Sequence, residues 1–131
     1  MSRHHRVVLA VDDNVEVLAS AVAQLEALGY RVLSANSPEA ALKILAGPEQ
    51  VDLLFTDVVM PGGLNGKRLA VEACRLRPEL KVLFTSGFPN APEFQNLQAA
   101  SDDALLAKPY RLQELGQALR AVLDRDSVRA A

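Results

Sequence analysis

A short apolar run followed by a helical pattern recurs five times along the 131 residues of this chain. The runs are too short for typical helices and are bounded by turn residues, so we interpret them as strands buried on both faces. They lie at 6–11, 30–35, 53–57, 82–85 and 104–107. The helical patterns lie at 15–28, 38–46, 66–77, 93–99 and 112–125. Strands that alternate with helices predict one parallel sheet covered on both faces, because each return connection crosses over right-handed.

The predicted helices carry boundary signals and apolar stripes. Ser37-Pro38-Glu39 has the form of a helix start, with a capping hydroxyl, a proline at the first position and an acid in the first turn. Asn65 is a candidate cap for the third helix. In three helices, apolar residues three and four positions apart predict the buried face. These stripes are Val15, Leu18, Val22 and Leu25; Leu69, Ala70, Ala73 and Leu76; and Leu112, Leu115, Leu119 and Val122.

The composition is that of an ordinary globular domain. Half of the residues are hydrophobic, and the net charge of −2, from 14 basic and 16 acidic side chains, predicts no nucleic acid partner. No apolar run approaches the ~18 residues of a membrane span, so we expect a cytoplasmic protein without membrane contact. The length predicts a single domain over 1–131, with a core at about 6–125 and a tail at 126–131. The single cysteine, Cys74, is interpreted as a small packed side chain.

Polar side chains end four of the predicted strands. Asp12 and Asp13 follow the first strand, Asp57 ends the third, Ser86 follows the fourth, and Lys108 follows the fifth. In a doubly wound sheet the carboxyl ends of all these strands meet at the same edge, which is where such folds bind their ligands. Each residue taken alone is more easily explained as a turn, a helix cap or a solvated charge. Capping does not explain the joint pattern, which favours a shared site.

The charges at this edge indicate the chemistry. Two carboxylates ~5 Å apart repel by about 3 kcal/mol at an effective dielectric constant of ~20, so three of them call for a cation. Mg²⁺ suits an all-oxygen site because it uses one or two carboxylates, keeps waters and leaves positions for phosphate oxygens. Lys108 adds a positive charge and Ser86 a hydroxyl donor. This set predicts phosphoryl transfer, in which a carboxylate can itself be the nucleophile.

Four segments of the chain stand out at the ends of the predicted strands: Val11-Asp12-Asp13-Asn14, Thr56-Asp57-Val58-Val59-Met60-Pro61 with Asn65-Gly66, Phe84-Thr85-Ser86-Gly87, and Lys108-Pro109-Tyr110. Together they closely resemble the receiver domain of two-component response regulators, and the similarity extends from about Val7 to Asp124. The stretch from Lys81 to Phe88 looks most like receiver modules attached to hybrid sensor histidine kinases.

The resemblance implies a fold and a metal site. The fold would be α/β and flavodoxin-like: a doubly wound five-stranded parallel sheet in the order 2-1-3-4-5, with helices on both faces. Asp13 and Asp57 would bind Mg²⁺ (or Mn²⁺) directly, together with the backbone carbonyl of Val59. Asp12 would act largely through water.

The resemblance also implies a signalling cycle in a phosphorelay. Asp57 would accept a phosphoryl group from a histidine kinase or a phosphotransfer protein, while Ser86 and Lys108 contact phosphate oxygens. The Lys108–Pro109 bond would be cis. Phosphorylation would change the surface formed by the fourth helix (93–99), the fifth strand and the fifth helix (112–125), which would bind an unknown downstream protein. Such a domain is not a turnover enzyme, and we expect a monomer or a weak dimer.

Leu105 departs from the family pattern, since it stands where a switching tyrosine or phenylalanine is usual.

Two other functions compete with the leading interpretation. A haloacid-dehalogenase-like phosphohydrolase also uses a strand-end aspartate and Mg²⁺, but that family requires a second acid two residues later, where this chain has Val59. A receiver fold that only binds proteins, independently of phosphorylation, is expected to have lost Asp57, Lys108 or one of the acidic pair. All of these residues are present.

Overall fold

Five parallel strands form one sheet in the order β2-β1-β3-β4-β5. The computed structural model describes residues 6–58, 66–86 and 104–124. The predicted helix at 93–99, the capping role of Asn65 and the tail at 126–131 lie outside these ranges. The strands are β1 (Val7–Val11), β2 (Arg31–Ala35), β3 (Leu53–Asp57), β4 (Lys81–Ser86) and β5 (Ala104–Ala107). The predicted sheet and its strand order are therefore confirmed.

Helices connect these strands and cover both faces of the sheet. They are α1 (Val15–Ala27), α2 (Pro38–Ala46), α3 (Gly66–Leu76) and the C-terminal helix (Leu112–Leu123). The helix start predicted at Ser37 is confirmed, because its Oγ accepts a hydrogen bond from the Ala40 amide at 3.1 Å. None of the helices within the described ranges is long and apolar enough to cross a membrane.

The two faces of the sheet contribute to two hydrophobic clusters. The α2/α3 cluster takes Leu9, Leu54 and Phe84 from the sheet and packs them against α2 and α3. The α1/C-terminal cluster takes the alternate side chains, including Phe55 and Leu83, and packs them against α1 and the C-terminal helix. Because successive side chains of a strand point to opposite faces, both clusters depend on the same central strands.

Three residues assigned to buried stripes lie at the surface instead. Val15 is 67% exposed, Leu76 is 48% exposed and Leu112 is 42% exposed. Each is the first or last residue of its helix, where periodicity alone does not show whether the sheet still lies beneath the side chain. Small residues complete the stripes closer to the sheet, since Ala21 and Gly116 are buried.

Candidate functional site

Asp12 and Asp57 occupy the carboxyl ends of the two central strands. Asp12 directly follows β1 and is 7% exposed, and Asp57 is the last residue of β3. The Oδ1 atom of Asp12 accepts a hydrogen bond from the Asn14 amide at 2.9 Å. Asn14 in turn caps α1 by accepting from the amides of Glu16 and Val17. Asp12 therefore shapes the turn into α1 through one oxygen and presents the other to the site.

Lys108 joins the two acids. Its Nζ lies 3.3 Å from Asp12 Oδ2 and 3.3 Å from Asp57 Oδ2. The three side chains are only 24%, 9% and 16% exposed, so solvent screens these contacts less than it screens surface ion pairs. The backbone amide of Lys108 donates to the Ser86 carbonyl at 2.8 Å, which ties the end of β5 to the end of β4. The Lys108–Pro109 bond is cis, as the resemblance implied.

The structure gives the positions of two other predicted site residues, Ser86 and Asp13, but not of Val59. Ser86 is fully buried at the last position of β4, beside the strand that carries Asp57. Asp13 is exposed in the turn after β1. Val59 lies outside the described residues. The structure thus brings Asp12, Asp57 and Lys108 into contact and puts Ser86 at the same edge of the sheet.

The donor set of this edge fits a hard divalent cation chemically. Carboxylate oxygens are the protein ligands that Mg²⁺ prefers, and two carboxylates with waters are enough for it. Within the described ranges, however, no group of three His, Cys, Asp or Glu side chains is arranged to hold a metal ion. The cation that the described residues themselves supply to Asp12 and Asp57 is Lys108.

Tyr110 is a neighbour of the site that the sequence reasoning did not assign. Its ring packs edge-on against Phe55, with centroids 6.2 Å apart and an interplanar angle of 70°. Burial, and then the negative charges of Asp12 and Asp57, raise the pKa of Tyr110 to about 12. The sequence signal for this residue is an aromatic side chain two positions after Lys108.

Thr85 is a second residue that the sequence reasoning missed. It is 3% exposed and pairs with Asp57 in the β3–β4 register. Its Oγ1 atom is buried and has no hydrogen-bond partner in the described part of the chain. A threonine inside the apolar run of β4 was the only sequence signal for it.

Gly66 brings α3 directly onto the end of β3. Its amide donates to the Val58 carbonyl at 2.9 Å. A Cβ atom added at Gly66 would overlap the backbone carbonyl of Asp57. The position therefore requires a residue without a side chain, and this close approach fixes the backbone at the candidate phosphorylation site.

Comparisons with known proteins agree with this fold. A sequence model of the response regulator receiver domain matches residues 8–120. The chain is 34% identical over 118 residues to the response regulator receiver protein CpdR of Brucella abortus (strain 2308), a match that covers 90% of this chain and 96% of CpdR. It is also 34% identical over 120 residues to the sensor kinase CckA of the same organism, covering 90% of this chain but 12% of the kinase.

Solved structures show the same architecture. A CheY-like response regulator receiver domain protein from Methanospirillum hungatei JF-1 superimposes with a TM-score of 0.81 at 28% identity, over 95% of this chain and 98% of that one. The family match begins within β1 and ends within the C-terminal helix, so it covers all or nearly all of every strand of the sheet. This chain therefore belongs to the family of response regulator receiver domains of two-component systems.

Proposed function

We propose that this receiver domain is a phosphoacceptor switch in which Asp57 takes a phosphoryl group from a histidine kinase or a phosphotransfer protein. The observation that carries the proposal is the contact of Lys108 Nζ with both Asp12 and Asp57. An ammonium group held against a strand-end carboxylate is positioned to pair with the charge that arrives when that carboxylate is phosphorylated.

The proposed reaction forms an acyl phosphate. One carboxylate oxygen of Asp57 attacks phosphorus, the phosphorus–nitrogen bond of a phosphohistidine donor breaks, and its electron pair leaves with the imidazole nitrogen. Lys108 then exchanges a carboxylate contact for a phosphate oxygen, and the Ser86 hydroxyl donates a hydrogen bond to another oxygen. A bound Mg²⁺ (or Mn²⁺) would neutralise charge on the phosphate. The groups that would hold it are Asp12, Asp13, Asp57 and the Val59 carbonyl.

The proposed output is a change of surface around β5 and the C-terminal helix. Leu105 is partly buried and packs against the α2/α3 cluster. It stands at the position where receiver domains usually carry a switching aromatic residue, so the readout in this chain works without a ring at that position. The partner is a downstream protein rather than nucleic acid, and the domain acts in the cytoplasm as a monomer or weak dimer.

The test is incubation of the protein with Mg²⁺ and a small phosphodonor, followed by intact mass measurement. We expect one phosphate adduct, which disappears in Asp57→Asn. The matched control is Asp52→Asn, because Asp52 lies at the opposite end of β3 and accepts from the Val7 amide at 2.8 Å. An adduct that survives Asp57→Asn would refute the assignment of the phosphorylated residue.

A further inference from the structure

Lys108 reaches its two acids by crossing a neighbouring strand. In the order β1-β3-β4-β5, Lys108 follows β5 while Asp57 and Asp12 end β3 and β1. The strand between them is β4, and its register pairs Thr85 with Asp57 on one side and with Leu106 on the other. Paired residues of parallel strands present their side chains on the same face of the sheet. Thr85 is thus on the face that the ammonium group of Lys108 crosses.

Within the described ranges, the Thr85 hydroxyl has no hydrogen-bond partner and one N–H of the Lys108 ammonium group is unused. The Thr85 hydroxyl is buried without a hydrogen bond. An ammonium group has three N–H donors, and in the described chain Lys108 Nζ uses two of them, on Asp12 and Asp57. A buried hydroxyl without a partner costs about 1 to 3 kcal/mol, so native structures rarely leave one unsatisfied.

A small cavity adjoins both groups. Its volume is about 10 Å³, and its lining includes Asp12, Phe55, Thr85, Lys108 and Tyr110. A cavity of this size holds about one water molecule, and a buried water is retained where two to four polar partners face it. Most of the cavity lining is apolar, but it also includes an ammonium group, a carboxylate and a hydroxyl, which are the polar partners that a buried water needs.

We propose that one water molecule occupies this cavity and bridges Thr85 Oγ1 to the third N–H of Lys108, which makes Thr85 a positioning residue for the lysine. The water accepts from the ammonium group and donates to the threonine oxygen. Its effect is to hold Nζ toward Asp57. The consequence for phosphoryl transfer rests on the proposed function above, whereas the water itself does not.

The first test concerns the water and uses no phosphate. A high-resolution crystal structure of the full chain should show a water within hydrogen-bond distance of Thr85 Oγ1 and Lys108 Nζ, and Thr85→Val should lose it. The melting temperature of Thr85→Val should fall by about 3 °C, because the variant expels the water and leaves the third N–H of Lys108 without a partner. An empty cavity in the unsubstituted protein, or a rise in melting temperature in Thr85→Val, would overturn the proposal. A rise is the expected result if the hydroxyl is simply unsatisfied.

The second test concerns positioning. The rate of adduct formation from the small phosphodonor should fall about fivefold in Thr85→Val, the effect of losing one ordinary hydrogen bond. Thr85→Ser keeps the hydroxyl and should stay within about twofold of the unsubstituted protein. Equal slowing in both variants would attribute the loss to packing and remove the positioning role. If the unsubstituted protein forms no adduct, the proposed function fails, and the crystallographic water still decides the first test.

Discussion

Lys108 carries the charge balance among the described residues of the site. Its Nζ is equidistant from Asp12 Oδ2 and Asp57 Oδ2, at 3.3 Å, so the two carboxylate oxygens are held within reach of one nitrogen. Removing one partner of such a partly buried contact leaves the remaining charges uncompensated, which costs more than the net contribution of the contact itself. The lysine is therefore expected to stabilise the fold as well as to act in phosphoryl transfer.

Lys108→Met should lower the free energy of unfolding by about 2 kcal/mol in the absence of Mg²⁺. The measurement is urea denaturation, with Lys43→Met on the exposed surface of α2 as the matched control, expected to change by less than about 0.5 kcal/mol. In an Asp57→Asn background the cost of Lys108→Met should shrink by about 1 kcal/mol, because one of the two charges is gone. Equal costs in both backgrounds would contradict the bridging role.

Tyr110 should report the charge of the site through its own titration. In the folded protein burial and the two acids raise its pKa to about 12, against about 10 in an unfolded chain. The protonated phenol is favoured by folding, so this contribution to stability is complete below about pH 10 and is lost as the pH rises toward 12. Relative to the unsubstituted protein, Tyr110→Phe should therefore lose less stability in that interval.

The same titration can be followed by phenolate absorbance in a Tyr30→Phe variant, where Tyr110 is the remaining tyrosine. Asp57→Asn in that background should lower the midpoint, since the charge of Asp57 is one of its causes. An unchanged midpoint would mean that Tyr110 does not sense the phosphorylation site.

The sequence predicted the charged residues and Ser86 at this edge of the sheet, but not the neutral neighbours Thr85 and Tyr110. Asp12, Asp57 and Lys108 end strands, and the parallel topology alone brings strand ends to one edge. Thr85 and Tyr110 escape this argument because their importance comes from burial and from contact across strands. A threonine within a strand and a tyrosine after a proline are common, and nothing in the local pattern shows that one lacks a partner or that the other packs on Phe55.

At the scale of secondary-structure elements, the junction between β3 and α3 leaves no room for a side chain at Gly66. A methyl group at Gly66 would overlap the Asp57 carbonyl oxygen and lie 2.8 Å from the Asp57 carbonyl carbon. We expect Gly66→Ala to cost about 2 to 3 kcal/mol and to slow adduct formation, because helix and strand must separate at the phosphorylated residue. Gly47→Ala, where the nearest atom would be the Ile44 carbonyl oxygen at 3.5 Å, should be nearly neutral. Similar free energies of unfolding in the two variants would contradict the role of this close contact.

The apolar positions that periodicity misassigned lie at the ends of helices. Periodicity gives the direction in which a residue points but not how far the sheet extends beneath the helix. Leu115 and Leu112 belong to the same stripe of the C-terminal helix, yet Leu115 is fully buried while Leu112, the first residue of the helix, is 42% exposed. The stripe was therefore correct in its interior and wrong at its end.

At the scale of the whole molecule, one sheet separates two hydrophobic clusters that have no side chains in common. Leu69 belongs to the α2/α3 cluster and Leu115 to the α1/C-terminal cluster, and both are fully buried. Both tyrosines pack against the α1/C-terminal cluster, so their signal reports on one face only. Alternate residues of the central strands pack in one cluster or the other. Loss of either cluster should therefore unfold the sheet that both share.

Leu115→Ala and Leu69→Ala should each lower the free energy of unfolding by about 3 kcal/mol, the cost of lost transfer energy and a residual cavity. Leu112→Ala, a matched substitution in the same helix, should cost less than about 1 kcal/mol because its side chain is already partly in water. The measurement is denaturation followed by far-ultraviolet circular dichroism and by tyrosine absorbance.

In Leu69→Ala the two signals should shift together, although the tyrosines lie on the opposite face of the sheet. A tyrosine transition that stays in place while the helical signal shifts would mean that the faces unfold independently. In that case Leu105 of β5, which packs against the α2/α3 cluster, would not be coupled to the C-terminal helix on the opposite face, although the proposed output surface includes both.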